Sequence, residues 1–171
     1  GTYSVDAGGE EIPGQNEPKY LGSLDNLSDN VVKLTLEKYE SEIVEYDQES
    51  AVVVTAAGLI FQCFGTKNNV FLIDDMGDDL EGASVTHNHP VGSDNEYSFS
   101  NWDIQLFMDF NLKILRGIDE KYVYELSRKT GEVDPHVTID ELYVSDGDSS
   151  RHDEVITFAE IWGIGYRRWK R

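Results

Sequence analysis

The sequence has one cysteine, no long apolar run and few basic side chains. Cys63 cannot form an internal disulfide, so the fold does not depend on oxidation. It lies in a strand-like apolar run, which predicts a buried, inert thiol and not a nucleophile. The longest apolar stretch, 51–64, contains polar residues and is too short to cross a bilayer, so no membrane partner is expected. No signal peptide is recognisable, so we expect a cytoplasmic protein, with a secreted effector as the alternative.

Positive charge is also scarce. The 171 residues include 14 lysines and arginines against 33 aspartates and glutamates, a formal net charge of −19. Nucleic-acid binders usually need a basic face, so nucleic acid is not expected to be the principal partner. A solvated acidic surface or a basic partner fits this charge. One basic run, 167–171, ends the sequence. It could be a fusion junction or a nucleic-acid contact, but we favour a solvated end.

The length suits one domain with an arm. Residues 1–27 are rich in Gly, Glu, Asn and Pro without an apolar period, which predicts a linker or N-terminal arm before a domain at 28–171. A helix at 29–47 follows, with Ser28 or Asp29 as its N-cap. The further predicted elements are strands at 51–55, 59–64, 70–73, 83–87 and 121–128 and helices at 101–115 and 152–166, the last breaking at Gly163. Residues 130–150 read as irregular. This mixture predicts an α/β fold with a central mixed sheet flanked by helices.

The segment 86–90, Thr-His-Asn-His-Pro, is the most informative. In a strand, residues two apart project from the same face, so His87 and His89 can reach one point. Pro90 stops the strand just beyond them. Downstream, Asp103 lies at a helix start, where its carboxylate can turn back toward the strand end. Two histidines and one carboxylate leave the open position that a catalytic zinc requires.

His-Asn-His-Pro, a polar loop and then Ser-x-x-Asp resemble the JAMM signature of the JAB/MPN metalloprotease family. The His-Asn-His-Pro form of the motif is most similar to that of the bacterial RadC-like and the phage- or toxin-associated JAB branches. Segments 49–58 and 65–70 are similar to the part of those branches that precedes the motif. The strand near 122–128 and the terminal helix follow the same order of elements as in those branches. The resemblance implies a cytidine-deaminase-like architecture for the domain.

The resemblance also implies residue roles. His87, His89 and Asp103 would be zinc ligands, and Ser100 would support the oxyanion or hold the water network. A family glutamate on an earlier strand acts as general base on the zinc-activated water, and Glu49 is the best match. Two glutamates of the preceding helix are alternatives for that base: Glu45 and Glu42.

The third ligand depends on how one loop is aligned. The stretch from Pro90 to Ser100 is two residues longer than the family pattern. Aligning Ser98 restores the length but puts Asn101, a poorer zinc donor than a carboxylate, at the ligand position. We therefore prefer Asp103 with a loop insertion, since loops tolerate changes in length. Two other aspartates are weaker candidates: Asp94 and Asp109.

The implied function is a zinc-dependent metallopeptidase acting on a peptide or protein, including isopeptide and ubiquitin-like substrates. The alternatives are a RadC-like or phage/mobile-element metal-binding module without peptidase activity, and a JAB-type toxin or effector domain. His136 and His152 lie outside the motif and are expected at the surface. Five aromatic residues are expected to pack, the first two holding their helix on the sheet and the rest anchoring the last helix: Trp102, Phe107, Trp162, Tyr166 and Trp169.

Overall fold

A computed structural model of the chain describes residues 17–93, 97–128 and 151–171, which form a single mixed sheet with helices on it. The strands are β1 (Lys19–Ser23), β2 (Ser50–Val54), β3 (Leu59–Phe64), β4 (Ser84–Asn88), β5 (Ile114–Ile118), β6 (Tyr122–Arg128) and β7 (Ile164–Lys170). The helices are α1 (Asp29–Ile43), α2 (Leu72–Met76), α3 (Asn101–Asp109) and α4 (Arg151–Trp162), with a 3₁₀ turn at Gly77–Leu80. The predicted α/β fold with helices flanking a mixed sheet is confirmed.

The sheet order is β1-β3-β2-β4-β5-β6-β7, so β4 is the central strand. Among the described strands only β4 and β5 pair in parallel, and α3 is the helix in the connection between them. The other neighbouring strands are antiparallel. The sheet therefore combines hairpins with one β-α-β crossover, which brings the start of α3 near the end of β4.

Both faces of the sheet are covered. Helix α1 buries Val32, Leu36 and Ile43 against one face. Helices α2, α3 and α4 pack on the other face through residues such as Phe107 and Phe158. Alternation along β4 divides its side chains between these two layers, since successive strand residues point to opposite faces. His87 and His89 therefore share the face covered by α2, α3 and α4, whereas Thr86, which donates to Glu40, faces α1.

Helix α1 begins as predicted. Ser28 is its N-cap, and the Ser28 hydroxyl accepts a hydrogen bond from the Val31 amide at 3.4 Å. The helix ends at Ile43, earlier than the predicted residue 47. Residues 44–49 then lead to β2 and carry Glu49 to the edge of the sheet layer.

The predicted strand at 70–73 is wrong. Residues Leu72–Met76 form α2 instead, followed directly by the 3₁₀ turn at Gly77–Leu80. Leu72 and Met76 are both buried and four residues apart, the spacing of one helix face. This spacing outweighs the β propensity of the apolar run that begins at Val70.

The predicted helix at 101–115 is too long. Helix α3 ends at Asp109, and Asn111 then adopts a left-handed backbone with φ of 49°. Ile114–Ile118 forms β5, every residue of which is buried. A strand buried on both faces has no alternating pattern, so its sequence was mistaken for the end of a helix.

The predicted break at Gly163 is confirmed, but the chain beyond it is a strand. Gly163 has φ of 66° and separates α4 from β7. The basic run is therefore not a simple solvated end. Arg167 donates to Glu125 at 2.9 Å, and Arg168 donates to the carbonyl of Tyr97 at 3.0 Å.

Part of the predicted arm belongs to the sheet, since Lys19–Ser23 pairs with β3 as β1. Residues 1–16 lie outside the described residues, as does the whole of the predicted irregular segment 130–150, which includes His136. Among the described residues, no helix is both long and apolar enough to span a membrane.

Candidate metal centre

The two motif histidines lie together where β4 ends, and both rings are buried. His87 pairs with Ala51 of β2 on one side and with Gly117 of β5 on the other, so its backbone is fixed by neighbouring strands on both sides of β4. The Nδ1 atom of His87 lies 2.7 Å from the carbonyl oxygen of Arg116. A carbonyl only accepts, so this Nδ1 carries a proton, and Nε2 is the ring nitrogen that faces the cluster and can act as a ligand when its own proton is lost.

His89 is held in a similar way by a different partner. Its amide donates to the carbonyl of Ile118 at 2.9 Å, which extends the β4–β5 pairing past the strand end. Its Nδ1 lies 2.6 Å from the hydroxyl of Tyr124. Its Nε2 lies only 2.9 Å from the Nε2 of His87. Two ring nitrogens at this distance need a proton or a cation to bridge their lone pairs.

Asp103 completes the group from the first turn of α3. Ser100 caps the helix: its hydroxyl accepts from the Asp103 amide at 3.1 Å, while Asp103 Oδ2 accepts from the Ser100 amide at 2.9 Å. This reciprocal capping box fixes the carboxylate. Asp103 Oδ1 lies 3.2 Å from His87 Nε2, and Oδ2 lies 3.5 Å from His89 Nε2. The structure thus brings Asp103, and not Asn101, to the histidines.

Glu49 is the fourth member. Its Oε1 lies 4.0 Å from His87 Nε2, and its side chain is buried. The Glu49 amide donates to the carbonyl of Thr66 at 2.6 Å, and its carbonyl accepts from the Gly65 amide at 2.9 Å. A Cβ at residue 65 would overlap the carbonyl oxygen of Asn69, so glycine is required there. The turn after β3 therefore holds Glu49 in place.

Asn88, the residue between the two histidines, has a role that the sequence analysis missed. Its Oδ1 accepts from the Ser50 amide at 2.6 Å, and its Nδ2 donates to the Gln48 carbonyl at 2.9 Å. Both bonds tie down the segment that carries Glu49. Strand alternation is the signal that could have found it, because Asn88 must point away from the face that His87 and His89 share.

The electrostatics of the cluster favour a cation. Burial opposes ionisation of Asp103, but the adjacent His87 outweighs it and holds the pKa of Asp103 well below its usual range. Burial alone would lower the pKa of His87, yet Asp103 and Glu49 raise it to about 9. Burial lowers the pKa of His89. Burial raises the pKa of Glu49 to about 8, although His87 opposes the shift and Asp103 adds to it. A cation bound at this cluster would take the place of the proton that His87 holds in the metal-free chain, beside the buried Asp103 anion.

The donor set fits a metal ion. One donor atom from each of Glu49, His87, His89 and Asp103 lies within 4.8 Å of the others. Imidazole nitrogen and carboxylate oxygen are ligands of zinc, and two histidines with one carboxylate also suit iron(II). The cluster could therefore hold a metal ion, and the donor set by itself does not select which one.

A cleft of about 290 Å³ opens onto the cluster from the side of Glu49, His87 and Asp103. Its other lining residues come from the segment before and within α2, from α3 and from β5: Asn68, Asn69, Val70, Phe71, Leu72, Ile73, Asp74, Ser100, Trp102, Leu106 and Leu115. Trp102 was expected to pack its helix on the sheet, which is wrong, because it is 74% exposed and lines this cleft. Phe107 does pack on the sheet as predicted.

The remaining candidates lie elsewhere. Glu42 and Glu45 are exposed and outside the cluster, as is Asp109, whose carboxylate accepts from Gln105; Asp94 is outside the described residues.

Cys63 is buried as predicted, and burial raises the pKa of its thiol to about 12, with Asp75 adding to the rise. His152 is half-buried, with its Nδ1 2.7 Å from the Tyr166 hydroxyl. Trp162, Tyr166 and Trp169 are partly buried against the core, but the last two belong to β7.

Comparison with protein-family models, with curated proteins and with solved structures finds no match to this chain. The fold and the site alone define its class. It is an α/β protein with a buried cluster of two histidines, an aspartate and a glutamate that could hold a metal ion. The two histidines lie at the end of the central strand of the mixed sheet. The resemblance to JAMM enzymes stays a prediction from the sequence.

Proposed function

We propose that this protein is a zinc-dependent metallopeptidase of the JAMM type, with the corresponding cytidine-deaminase-like architecture. One observation carries the proposal: the predicted base, Glu49, faces the same point as the three predicted ligands, although it lies on a different strand segment. A metal-binding module without peptidase activity needs no such carboxylate. The inward orientation of Glu49 therefore favours a hydrolase over that alternative.

In the proposed reaction the substrate is the amide bond of a peptide or protein. Zinc, held by His87, His89 and Asp103, would supply a Lewis acid for the carbonyl and a water of lowered pKa. Glu49 accepts the proton of the attacking water and passes it to the leaving amine as the C–N bond breaks. Ser100 donates a hydrogen bond from its hydroxyl to the developing oxyanion, since its oxygen already accepts from the Asp103 amide and its O–H remains a donor.

The metal half of the proposal is tested by metal analysis of the purified chain. We expect about one zinc per chain after loading and dialysis. His87→Ala and Asp103→Ala should each lose it, because each removes one of three ligands. His152→Ala, which changes a histidine outside the cluster, serves as the control and should keep the metal. Unchanged zinc content in both ligand variants, or a stoichiometric metal other than zinc, would contradict the proposal.

The hydrolase half is tested at Glu49. Glu49→Gln keeps the size and polarity of the side chain but removes its basic carboxylate, so zinc should remain bound while cleavage of an unstructured protein such as casein falls by at least about a hundredfold. Glu45→Gln changes an exposed glutamate nearby and should retain full activity. Zinc binding without any cleavage by the unaltered chain would favour the metal-binding module instead.

A further inference from the structure

The cleft beside the cluster has an uneven chemistry. One end is polar, where Glu49 and Asp103 meet the histidines. Away from the cluster its walls are mainly apolar, with Val70, Phe71 and Leu72 on one side and Leu106 on α3. At about 290 Å³ it is close to the lower limit of small-ligand clefts, about 300 Å³, so it is large enough for one or two side chains but not for a folded partner.

The mouth of this cleft exposes hydrophobic side chains that the core does not use. Trp102 is 74% exposed and Ile73 is 57% exposed, and both line the cleft. Indole is a large flat apolar surface with few rotatable bonds, so it contacts a ligand at low entropic cost. An apolar ligand side chain that contacts them would shield their surface from water.

The charge of the lining restricts the ligand further. Glu49, Asp74 and Asp103 line the cleft, and none of the described lining residues is a lysine or an arginine. The described lining therefore has no lysine or arginine to pair with a carboxylate, either of an acidic side chain or of a chain terminus. A neutral or cationic peptide segment matches this lining. The net charge of −19 on the chain also favours such a segment over an acidic one.

We propose that the cleft is a specificity pocket for a large apolar side chain, aromatic or leucine-like, next to the amide bond presented to the cluster, within an unstructured peptide segment free of acidic residues. Trp102 is its specificity-determining residue. This inference rests on the proposed function, which it deepens by naming the class of substrate. A tail of small residues such as glycine would leave the apolar walls of the cleft in contact with water.

Binding of a peptide series to the complete chain without added metal tests the pocket independently of catalysis. The probes are capped peptides of the form Ala-Ala-X-Ala-Ala-Lys, in which X is Phe, Leu, Gly or Glu, titrated by calorimetry. The Phe and Leu peptides should bind at least about tenfold more tightly than the Gly peptide, since burial of such a side chain is worth that much. The Glu peptide should bind most weakly.

Trp102→Ala should weaken the Phe peptide about tenfold and leave the Gly peptide unchanged. Ile161→Ala, which truncates a side chain 63% exposed on α4 and outside the cleft lining, is the matched control and should change neither. Equal affinity for the Phe and Gly peptides, or an unchanged preference in Trp102→Ala, would overturn the pocket.

Cleavage of the same peptides by the zinc-loaded chain separates this inference from the proposed function. If the chain binds the Phe peptide more tightly than the Gly peptide but cleaves none of the four, the result would support the pocket and contradict the peptidase. Cleavage of all four peptides at equal rates would support the peptidase and overturn the pocket. Faster cleavage of the Phe and Leu peptides, lost in Trp102→Ala, would support both.

Discussion

The orientation of His89 depends on one hydroxyl. Tyr124 is fully buried on β6, and its OH lies 2.6 Å from His89 Nδ1. Gly117 makes room for the ring, because a Cβ there would overlap it. Asp119 accepts from the amides of Lys121 and Tyr122 at 2.8 Å each and so fixes the turn that leads into β6. This chain of contacts holds the imidazole with Nε2 toward the cluster.

Tyr124→Phe should therefore weaken zinc binding without removing a ligand. Loss of a group that orients a ligand histidine typically costs about 10–100-fold in metal affinity, and we expect a change in this range. Competition with a chromogenic chelator measures it.

The matched control is Tyr122→Phe, two residues earlier on the same strand, with no hydroxyl contact to the cluster. It should leave zinc affinity unchanged. An equal loss in both variants would assign the effect to packing, and no loss in Tyr124→Phe would show that His89 needs no such support.

At the scale of elements, a buried ion pair joins α1 to the sheet beneath the cluster. Arg116 on β5 donates from Nε and Nη2 to the two oxygens of Glu40 on α1, at 2.7 and 2.9 Å. Its Nη1 donates to Glu125 at 2.9 Å, and Thr86 donates to Glu40 at 2.6 Å. The carbonyl of the same arginine accepts from His87. Arg116 on β5 therefore links α1, the neighbouring strands β4 and β6, and the metal centre.

Glu40→Gln should destabilise the fold strongly, because it leaves the buried guanidinium without one of its carboxylates. Breaking a buried pair from one side costs about 3 kcal/mol or more. Urea unfolding at neutral pH measures the change in the free energy of unfolding.

Glu37→Gln is the comparison. Glu37 lies one turn earlier on α1, 3.9 Å from Arg116, and is 52% exposed, so its substitution should cost about 0–1 kcal/mol. Similar losses in the two variants would mean that burial does not set the strength of this contact.

At the scale of the whole molecule, the net charge of −19 dominates. The two clusters of buried apolar residues must hold the fold together against the repulsion among its acidic groups. Two basic side chains of β7 make local contacts, since Arg167 donates to Glu125 and Arg168 donates to the carbonyl of Tyr97. Long-range repulsion therefore remains largely uncompensated.

Salt should consequently stabilise the metal-free chain. Raising ionic strength from about 0.01 to 0.15 M shortens the screening length from about 30 to 8 Å, which weakens repulsion between distant charges more than contacts between paired ones. The urea midpoint should rise with sodium chloride, and potassium chloride at the same ionic strength should have the same effect. A falling midpoint would mean that attractive surface pairs outweigh the repulsion.

Local periodicity accounts for what could be predicted at the site. His87 and His89 share a face because any strand places residues two apart on one side, whatever it pairs with. Ser100 and Asp103 are three apart at a helix start, and that spacing alone brings the side chain of one to the amide of the other. For the same reason, α1 began where its N-cap residue predicted.

Errors occurred where burial on both sides removed the pattern. Every residue of β5 is buried, including Arg116, so the segment lacks the alternation of a half-exposed strand and was joined to α3. The last strand, β7, was read as the end of a helix because its pairing with β6 depends on residues some forty positions away. The exposure of Trp102 likewise depends on which element lies opposite α3.

The sequence by itself determined the pair of histidines, the capped aspartate and the α/β class, because these follow from spacing within a strand or a helix turn. Only the tertiary structure decided that Glu49 faces the same point, that Tyr124 supports His89 and that a cleft lies beside the cluster. Each of these depends on strand register and on the packing of segments distant in sequence, as when Ala51 pairs with His87 and Gly117 with Tyr124. Long-range pairing of that kind leaves no periodic trace in the chain.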